Sequence, residues 1–287
     1  MECINPRYLP QRDITVPCGS CAFCLATRRS DWVQRLMQEW KVSTSTAFIT
    51  LTYATPHLTW RSGKPQLVKA DLQKWFKRVR RSGHRIRYYA VGEYGSKTHR
   101  PHYHVILFGY VPESVLRNTW DLGNIHIGQL TWASCGYCTK YIINSKMLRG
   151  KETFDHGSKE VPGLGKMRNG YALPFQVMSR NPGIGAKYLT SEMIKWHKDD
   201  FKNFIHTSEG KRHLPRYYKE KIFNKRERWI ISTRAMREAI ESERKVLFKL
   251  FKRGQKDAQA YRHRQRVELA KRIKDKSHQN NIQYESL

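Results

Sequence analysis

Residues 86–110 read IRYYAVGEYGSKTHRPHYHVILFGY. Two runs dense in Tyr, Val, Ile and Phe flank SKTHRP, a short polar connection. They predict strands over 86–95 and 102–110 that close as an antiparallel hairpin with an irregular loop. Side chains two apart on a strand leave the same face, so His102 and His104 point one way and Tyr103 the other. Glu93, in VGEYG, comes within reach of the histidine pair once the hairpin closes.

Upstream, AFITLTY (47–53) reads as a buried strand and KADLQKWFKRVRRS (69–82) as a basic amphipathic helix. Its apolar side carries Leu72, Trp75, Phe76 and Val79. Residues 28–42 set Trp32, Leu36, Met37 and Trp40 at helical spacing, and Trp32, Trp40, Trp75 and Phe76 are assigned to the core. Downstream come a short helix (111–120), an alternating strand (123–130) and a helix (131–146). The order strand–helix–strand–strand–helix–strand–helix predicts an α+β fold of the split βαβ kind, an antiparallel sheet with helices packed on one face. Past residue 150 a polar, Gly-containing loop is expected. A helix resumes near 185, and from 226 the chain is helical in pattern and highly charged.

The 287 residues include 54 Lys and Arg against 24 Asp and Glu, a formal net charge of +30. Apolar content of 39% and aromatic content of 12% exclude a wholly disordered basic tail. No stretch approaches the roughly 20 apolar residues of a membrane span. MECINPRYLPQRD lacks the cationic and apolar regions of a secretory signal. These observations predict a soluble intracellular protein whose excess charge is met by a polyanion, with nucleic acid the commonest. Residues 211–276 hold 23 basic and 8 acidic side chains, so half of the excess sits in the C-terminal tail.

Cys18, Cys21 and Cys24 form C-x2-C-x2-C in VPCGSCAFC. Such close spacing suits thiolates gathered on one cation better than separate disulfides. Cys3, looping back, completes an all-cysteine zinc site; alternatively, Cys24 begins a helix as a buried thiol and no metal binds. Cys135 and Cys138 repeat C-x-x-C inside a predicted helix, where small half-buried side chains are expected.

The chemistry-bearing set is Glu93, His102, His104 and the helix GYCTKYI. Two imidazoles and a carboxylate make an open three-ligand site for Mg²⁺ or Mn²⁺, with positions left for water and a phosphate oxygen. Tyr137, Lys140 and Tyr141, at i, i+3 and i+4, share one helix face. A phenol, pKa about 10, needs a cation or base to become a nucleophile. Lys140 supplies charge beside the phosphate. His126 competes for the metal only as an isolated strand histidine, and His99 faces solvent or DNA.

FITLTYA, AVGEYG…RPHYHVILFG and YCTKY resemble, in that order, the three motifs of HUH-type rolling-circle replication initiators. VPCGSCAFC, NPGIGAKYL and LPRYYKEKIF further resemble the replication initiation proteins of gokushovirus-like microviruses, and the resemblance spans residues 1–225. It implies an HUH/RRM-like sheet in a nicking domain (28–220), between a Cys-rich element (1–27) and a basic helical tail (221–287). It implies His102 and His104 as metal ligands with Glu93 as the acidic third ligand, where many relatives have a third histidine. Tyr137 and Tyr141 match the paired tyrosines, with Lys140 in its usual place, although some relatives rely on one tyrosine. One tyrosine then attacks single-stranded DNA at a phage replication origin, keeps the 5′ phosphate and frees a 3′-OH to prime synthesis. Host replication helicase and polymerase, in the cytoplasm of a bacterial host cell, are the implied partners. NPGIGAKYLT lacks the GK[ST] ending of a Walker motif. The competing readings are a non-catalytic, zinc-containing nucleic-acid-binding protein, which needs no positioned tyrosines, and a metal-dependent RNase, which needs the histidines alone.

Overall fold

The contiguous apolar run Val105–Phe108 has no polar alternation, which is the pattern of a strand covered on both faces. In the computed structural model it ends the strand at the centre of a sheet. The structure describes residues 3–139 except 13 and 96, residues 160–161, and residues 164–284 except 169, 208, 209 and 256. The chain divides into two compact units, Trp32–Lys187 with Asn280–Leu287, and Met1–Asp31 with Tyr188–Gln279.

The elements begin with β1 (Arg7–Leu9), β2 (Ile14–Val16) and α1 (Ala22–Lys41), which supplies residues to both units. There follow β3 (Thr46–Thr52), β4 (Trp60–Arg61), β5 (Lys64–Pro65), α2 (Lys69–Arg81), β6 (Arg87–Tyr94), β7 (Pro101–Phe108), α3 (Glu113–Thr119) and β8 (Ile125–Gly128). Residues 132–139 form helix α4. Short strands β9 (Glu160–Val161), β10 (Gly165–Arg168) and β11 (Tyr171–Ala172) precede β12 (Phe175–Met178).

Five strands make the main sheet in the order β12-β6-β7-β3-β8, with every neighbouring pair antiparallel. β3 and β6, joined through α2, therefore run parallel with β7 between them. On one face, Leu72, Trp75, Phe76 and Val79 of α2 and Leu116 of α3 pack against Ile49, Leu51, Val105 and Leu107. These α2 residues recur at i, i+3, i+4 and i+7, one stripe of the helix. The other face buries Tyr89, Val91, Ile106 and Phe108 under Leu36 of α1 and Cys135 and Cys138 of α4. Helices thus cover both faces, not the one expected. The reason is that β6 and β7 are apolar on both sides and leave no face fit for water. Cys135 and Cys138 are fully buried rather than half-buried. Trp75 and Phe76 are core as expected, while Trp32 and Trp40 pack against it partly buried.

Trp75 Nε1 donates to Thr119 Oγ1 (3.1 Å) and Arg78 Nε to the Thr119 carbonyl (2.7 Å), tying α2 to α3. Gly109 ends β7 at φ +107, where an added Cβ would stand 2.7 Å from the Arg85 carbonyl oxygen.

In the other unit β1 pairs with β2, and α5 (Ser191–Lys198) precedes the hairpin β13 (Phe204–Thr207) and β14 (Gly210–His213). Ile205 and Leu214 pack with Tyr218 and Ile222 of α6 (Arg216–Ile222). Next come α7 (Lys225–Lys252), opened by an Asn224–Glu227 capping box, and α8 (Ala258–Tyr284). Glu243 of α7 accepts from Arg266 of α8 at 2.6 Å. Strands of two to four residues are too short to show a period of two, which is why those at 7–16, 160–172 and 204–213 left no mark on the sequence pattern. No helix among the described residues is long and apolar enough to cross a membrane.

Trp75 is fully buried, so Trp75→Ala is expected to lower stability by about 3–5 kcal/mol. A urea denaturation midpoint within error of the parent's would refute that role.

Candidate active site

The strand pairing of β6 with β7 sets Glu93 directly opposite His102. Cross-strand partners have Cβ atoms about 4.5–5.5 Å apart, so the carboxylate and the imidazole meet. His104, two residues on, shares that face and pairs with Thr50 of β3. The three ligands therefore come from the two central antiparallel neighbours, with a third strand supporting them.

Glu93 is 1% exposed, and its Oε1 is the convergence point. His102 Nε2 lies 3.0 Å from it and His104 Nε2 2.8 Å. The outer nitrogens are held as well: His102 Nδ1 donates to the Arg100 carbonyl (3.2 Å) and His104 Nδ1 meets Thr50 Oγ1 (3.0 Å). Phe48 lies parallel to the His104 ring at 5.5 Å and Tyr137 edge-on to it at 4.9 Å. The loop before His102 is anchored by Arg100, whose guanidinium donates to the Tyr53 carbonyl at 2.7 Å.

Burial alone would push the Glu93 carboxyl up, but hydrogen bonds from His102 and His104, and their charge, hold it down at about 2. It is a carboxylate at every working pH.

The donor set fits a divalent cation. Ligands at right angles on an octahedral ion, each about 2.1 Å away, stand about 3 Å apart. The three ligand atoms all lie within 4.8 Å of one another, with the two Glu93–His separations at 2.8 and 3.0 Å. With Nδ1 of His102 donating to a carbonyl, its Nε2 lone pair in the neutral ring faces an anionic oxygen, an arrangement that a cation between them relieves. Glu93 Oε2 is buried with no hydrogen-bond partner among the described residues. A buried carboxylate oxygen without a donor is costly, and a metal ion satisfies it.

Tyr137, from α4, completes the cluster. Its hydroxyl donates to Glu93 Oε1 at 2.6 Å, so the phenol touches the same oxygen that both histidines face. Lys140 and Tyr141 lie outside the described residues. His126 is exposed on β8 and is not among the grouped ligands. His99 is exposed at φ +49, with its ring 5.8 Å from Tyr171. Sequence reasoning missed Thr50, because only the β3–β7 register shows that its hydroxyl meets His104.

Cys3, Cys18, Cys21 and Cys24 form the second cluster, all four thiols free and mutually within 4.8 Å. Cys18 and Cys24 sulfurs are 4.0 Å apart, and those of Cys3 and Cys21 3.9 Å. Sulfurs each about 2.3 Å from a tetrahedral zinc are about 3.8 Å apart. The backbone amide of Cys18 donates to Cys3 Sγ (3.2 Å) and that of Cys21 to Cys18 Sγ (3.3 Å). Partial burial pushes the Cys18 thiol up, but donors from Ser20 and Cys21 outweigh it and bring it down to about 6, into the thiolate range.

Against known proteins, residues 46–146 match a family model for the Replication-associated protein ORF2 type. The chain is 30% identical over 237 residues to the Replication-associated protein ORF2 of Spiroplasma virus 4, covering 74% of this chain and 67% of that one. It is 26% identical to the Replication-associated protein VP4 of Bdellovibrio phage phiMH2K, over 71% of this chain and 66% of the relative. With the Replication-associated protein ORF4 of Chlamydia phage 1 it shares 27% identity over 46% of this chain and 39% of the relative. No solved structure matches the chain.

Glu93→Gln is expected to weaken Mn²⁺ binding, measured by titration calorimetry, by more than a hundredfold. Thr50→Val, which only frees His104, should weaken it by about ten- to a hundredfold. Parent-like affinity in both variants would show that this cluster is no metal site.

Proposed function

This chain belongs to the replication-associated protein family of the ORF2 type, and from that premise we propose that it initiates rolling-circle replication by nicking single-stranded DNA through Tyr137. The observation that carries the reading is the hydrogen bond from the Tyr137 hydroxyl to Glu93 Oε1, the oxygen also faced by His102 and His104. A simple nucleic-acid-binding surface has no need of a phenol held against a three-ligand site. The strand order, with β7 between parallel β3 and β6, supports an HUH-like sheet.

Glu93, His102 and His104 would hold Mg²⁺ or Mn²⁺. When bound, the ion supplies Lewis-acid polarisation of the scissile phosphate. Glu93 orients the phenol, α4 fixes its distance, and the cores on both faces keep the constellation rigid. Attack forms the bond between Tyr137 Oη and phosphorus and breaks the bond from phosphorus to the 3′ oxygen. The phenol loses its proton and the departing 3′ oxygen gains one, so charge balances. The phosphotyrosine retains the energy of the phosphodiester, and rejoining to a 3′-OH needs no ATP. Lys140 is assigned to stabilising phosphate charge and Tyr141 to the second transfer. The freed 3′-OH requires a polymerase and a helicase, which a bacterial host cytoplasm would supply to a phage protein, and the partner sequence is a phage replication origin. Cys3, Cys18, Cys21 and Cys24 are assigned to a structural zinc.

End-labelled origin DNA incubated with the full chain and Mn²⁺ is expected to yield a denaturant-resistant protein–DNA adduct. Tyr137→Phe with Tyr141→Phe should lower its formation by at least about a thousandfold, the scale of losing a nucleophile. Cleavage without any adduct would exclude a tyrosine mechanism. For the cysteine site, elemental analysis should find about one zinc per chain, lost in Cys18→Ser with Cys21→Ser. Equal zinc in parent and variant would remove the assignment.

A further inference from the structure

Beside α2, on the face of the sheet opposite Glu93, lies a basic feature that the nicking chemistry does not use. Lys69, Gln73 and Arg80 occupy one stripe of α2, at i, i+4 and i+11. With Tyr88 of β6 and Ser179 and Arg180 after β12 they line a cleft of about 700 Å³. No Asp or Glu is among its described lining residues. A neighbouring cleft of about 590 Å³ shares Arg80, Ile86 and Arg87 and adds Arg85 and Lys187. Its acid, Glu39, is already engaged by Arg87 and by the Gly185 backbone amide (2.7 Å).

Lys69, Arg80 and Arg180 are exposed and surround a surface without a counter-charge, so they repel one another until an anion enters. Arg80 is held in place: its guanidinium sits 5.3 Å over the Tyr88 ring, which stacks on Phe76 at 3.6 Å, and it donates to the Ile86 carbonyl. Lysine, arginine and glutamine side chains present N–H donors, and phosphate oxygens accept from all of them. The cations are strung out rather than convergent. Lys69 and Arg80, eleven residues apart at about 1.5 Å each, stand about 16 Å apart along the helix. That span matches about five steps of a nucleic-acid backbone at 3.4 Å each, and it is too long for a single phosphate group.

We propose that this cleft is a phosphodiester-backbone site for nucleic acid, separate from the metal centre. Arg87 and Glu93 are six residues apart on β6, about 20 Å. The segment gripped here is therefore not the scissile one but flanking nucleic acid, held on the far face of the sheet. The inference rests on the nucleic-acid partner of the proposed function, though not on nicking.

The test is fluorescence anisotropy in EDTA, with every chain full-length and carrying Tyr137→Phe so that no cleavage intervenes. Single-stranded and duplex 20-mers serve as probes. Lys69→Glu with Arg180→Glu, whose fold is checked by circular dichroism, should weaken binding of at least one probe by tenfold or more. The logarithmic salt slope should shrink by about 1.5, as expected for two lost phosphate contacts. Whichever probe shows the larger loss identifies the occupant as single strand or duplex. Arg237→Glu with Lys249→Glu on α7 makes the same charge change elsewhere and should cost less than threefold. Equal losses in the two double variants, or no loss in the first, would overturn the proposal. If no adduct forms in the nicking assay while the cleft dependence holds, the mechanism fails and the cleft stands.

Discussion

A carboxylate at 1% exposure is the constraint around which the sheet-bearing unit is organised. Taking an ionised group out of water is costly unless other groups replace its hydration. Glu93 meets this demand with one oxygen, which receives Tyr137 and faces His102 and His104, while the other oxygen is left without a donor. An arrangement that serves folding alone would satisfy both oxygens. The incomplete one makes sense as a site that a divalent ion finishes, and the buried phenol beside it then has a chemical purpose.

Holding that oxygen within 3.0 Å of two rings takes a precise register, and β7 supplies it from the centre of the sheet. Its even-numbered residues 102 and 104 face the site. Tyr103, between them, points into the opposite core, where its hydroxyl lies 2.6 Å from that of Tyr53 and accepts from the Val68 amide. Burial pushes both phenols well above the ordinary tyrosine range, so they act as fixed hydrogen-bonding posts. A one-residue slip of β7 would exchange these two roles and destroy both, so the histidines are coupled to the α2 core through the strand that carries them. A site built on central strands under packed helices is held more tightly than one built on loops.

Charge is distributed by purpose. Around Glu93 the local electrostatics are those of a cation site. Along the β12 edge and α2 they are those of an anion site. In the helices from 225 onward, basic residues outnumber acidic ones along an extended surface with a few local pairs such as Glu243–Arg266. The excess of thirty positive charges is thus not a uniform property of the surface: one concentrated portion shapes a cleft and another coats a helical hairpin.

The hairpin of β6 and β7 was legible because a period of two survives in eight-residue strands, and it was enough to put Glu93, His102 and His104 together. The stripes of α2 and the charge of the tail were equally plain. The four cysteines were legible as a group, while their convergence within 4.8 Å depends on the fold returning Cys3 to the others. The covering of both faces was not read, since α1 enters from outside the strand–helix alternation and packs on the side that the order alone leaves open. The pairing of Thr50 with His104 and the 2.6 Å bond from Tyr137 to Glu93 span 54 and 44 residues of chain. By itself, then, the sequence determined which chemistry is carried, because residue types and short-range periods are local. Only the tertiary structure decided which atoms meet, because long-range register and the choice of face follow from how two cores pack around one sheet.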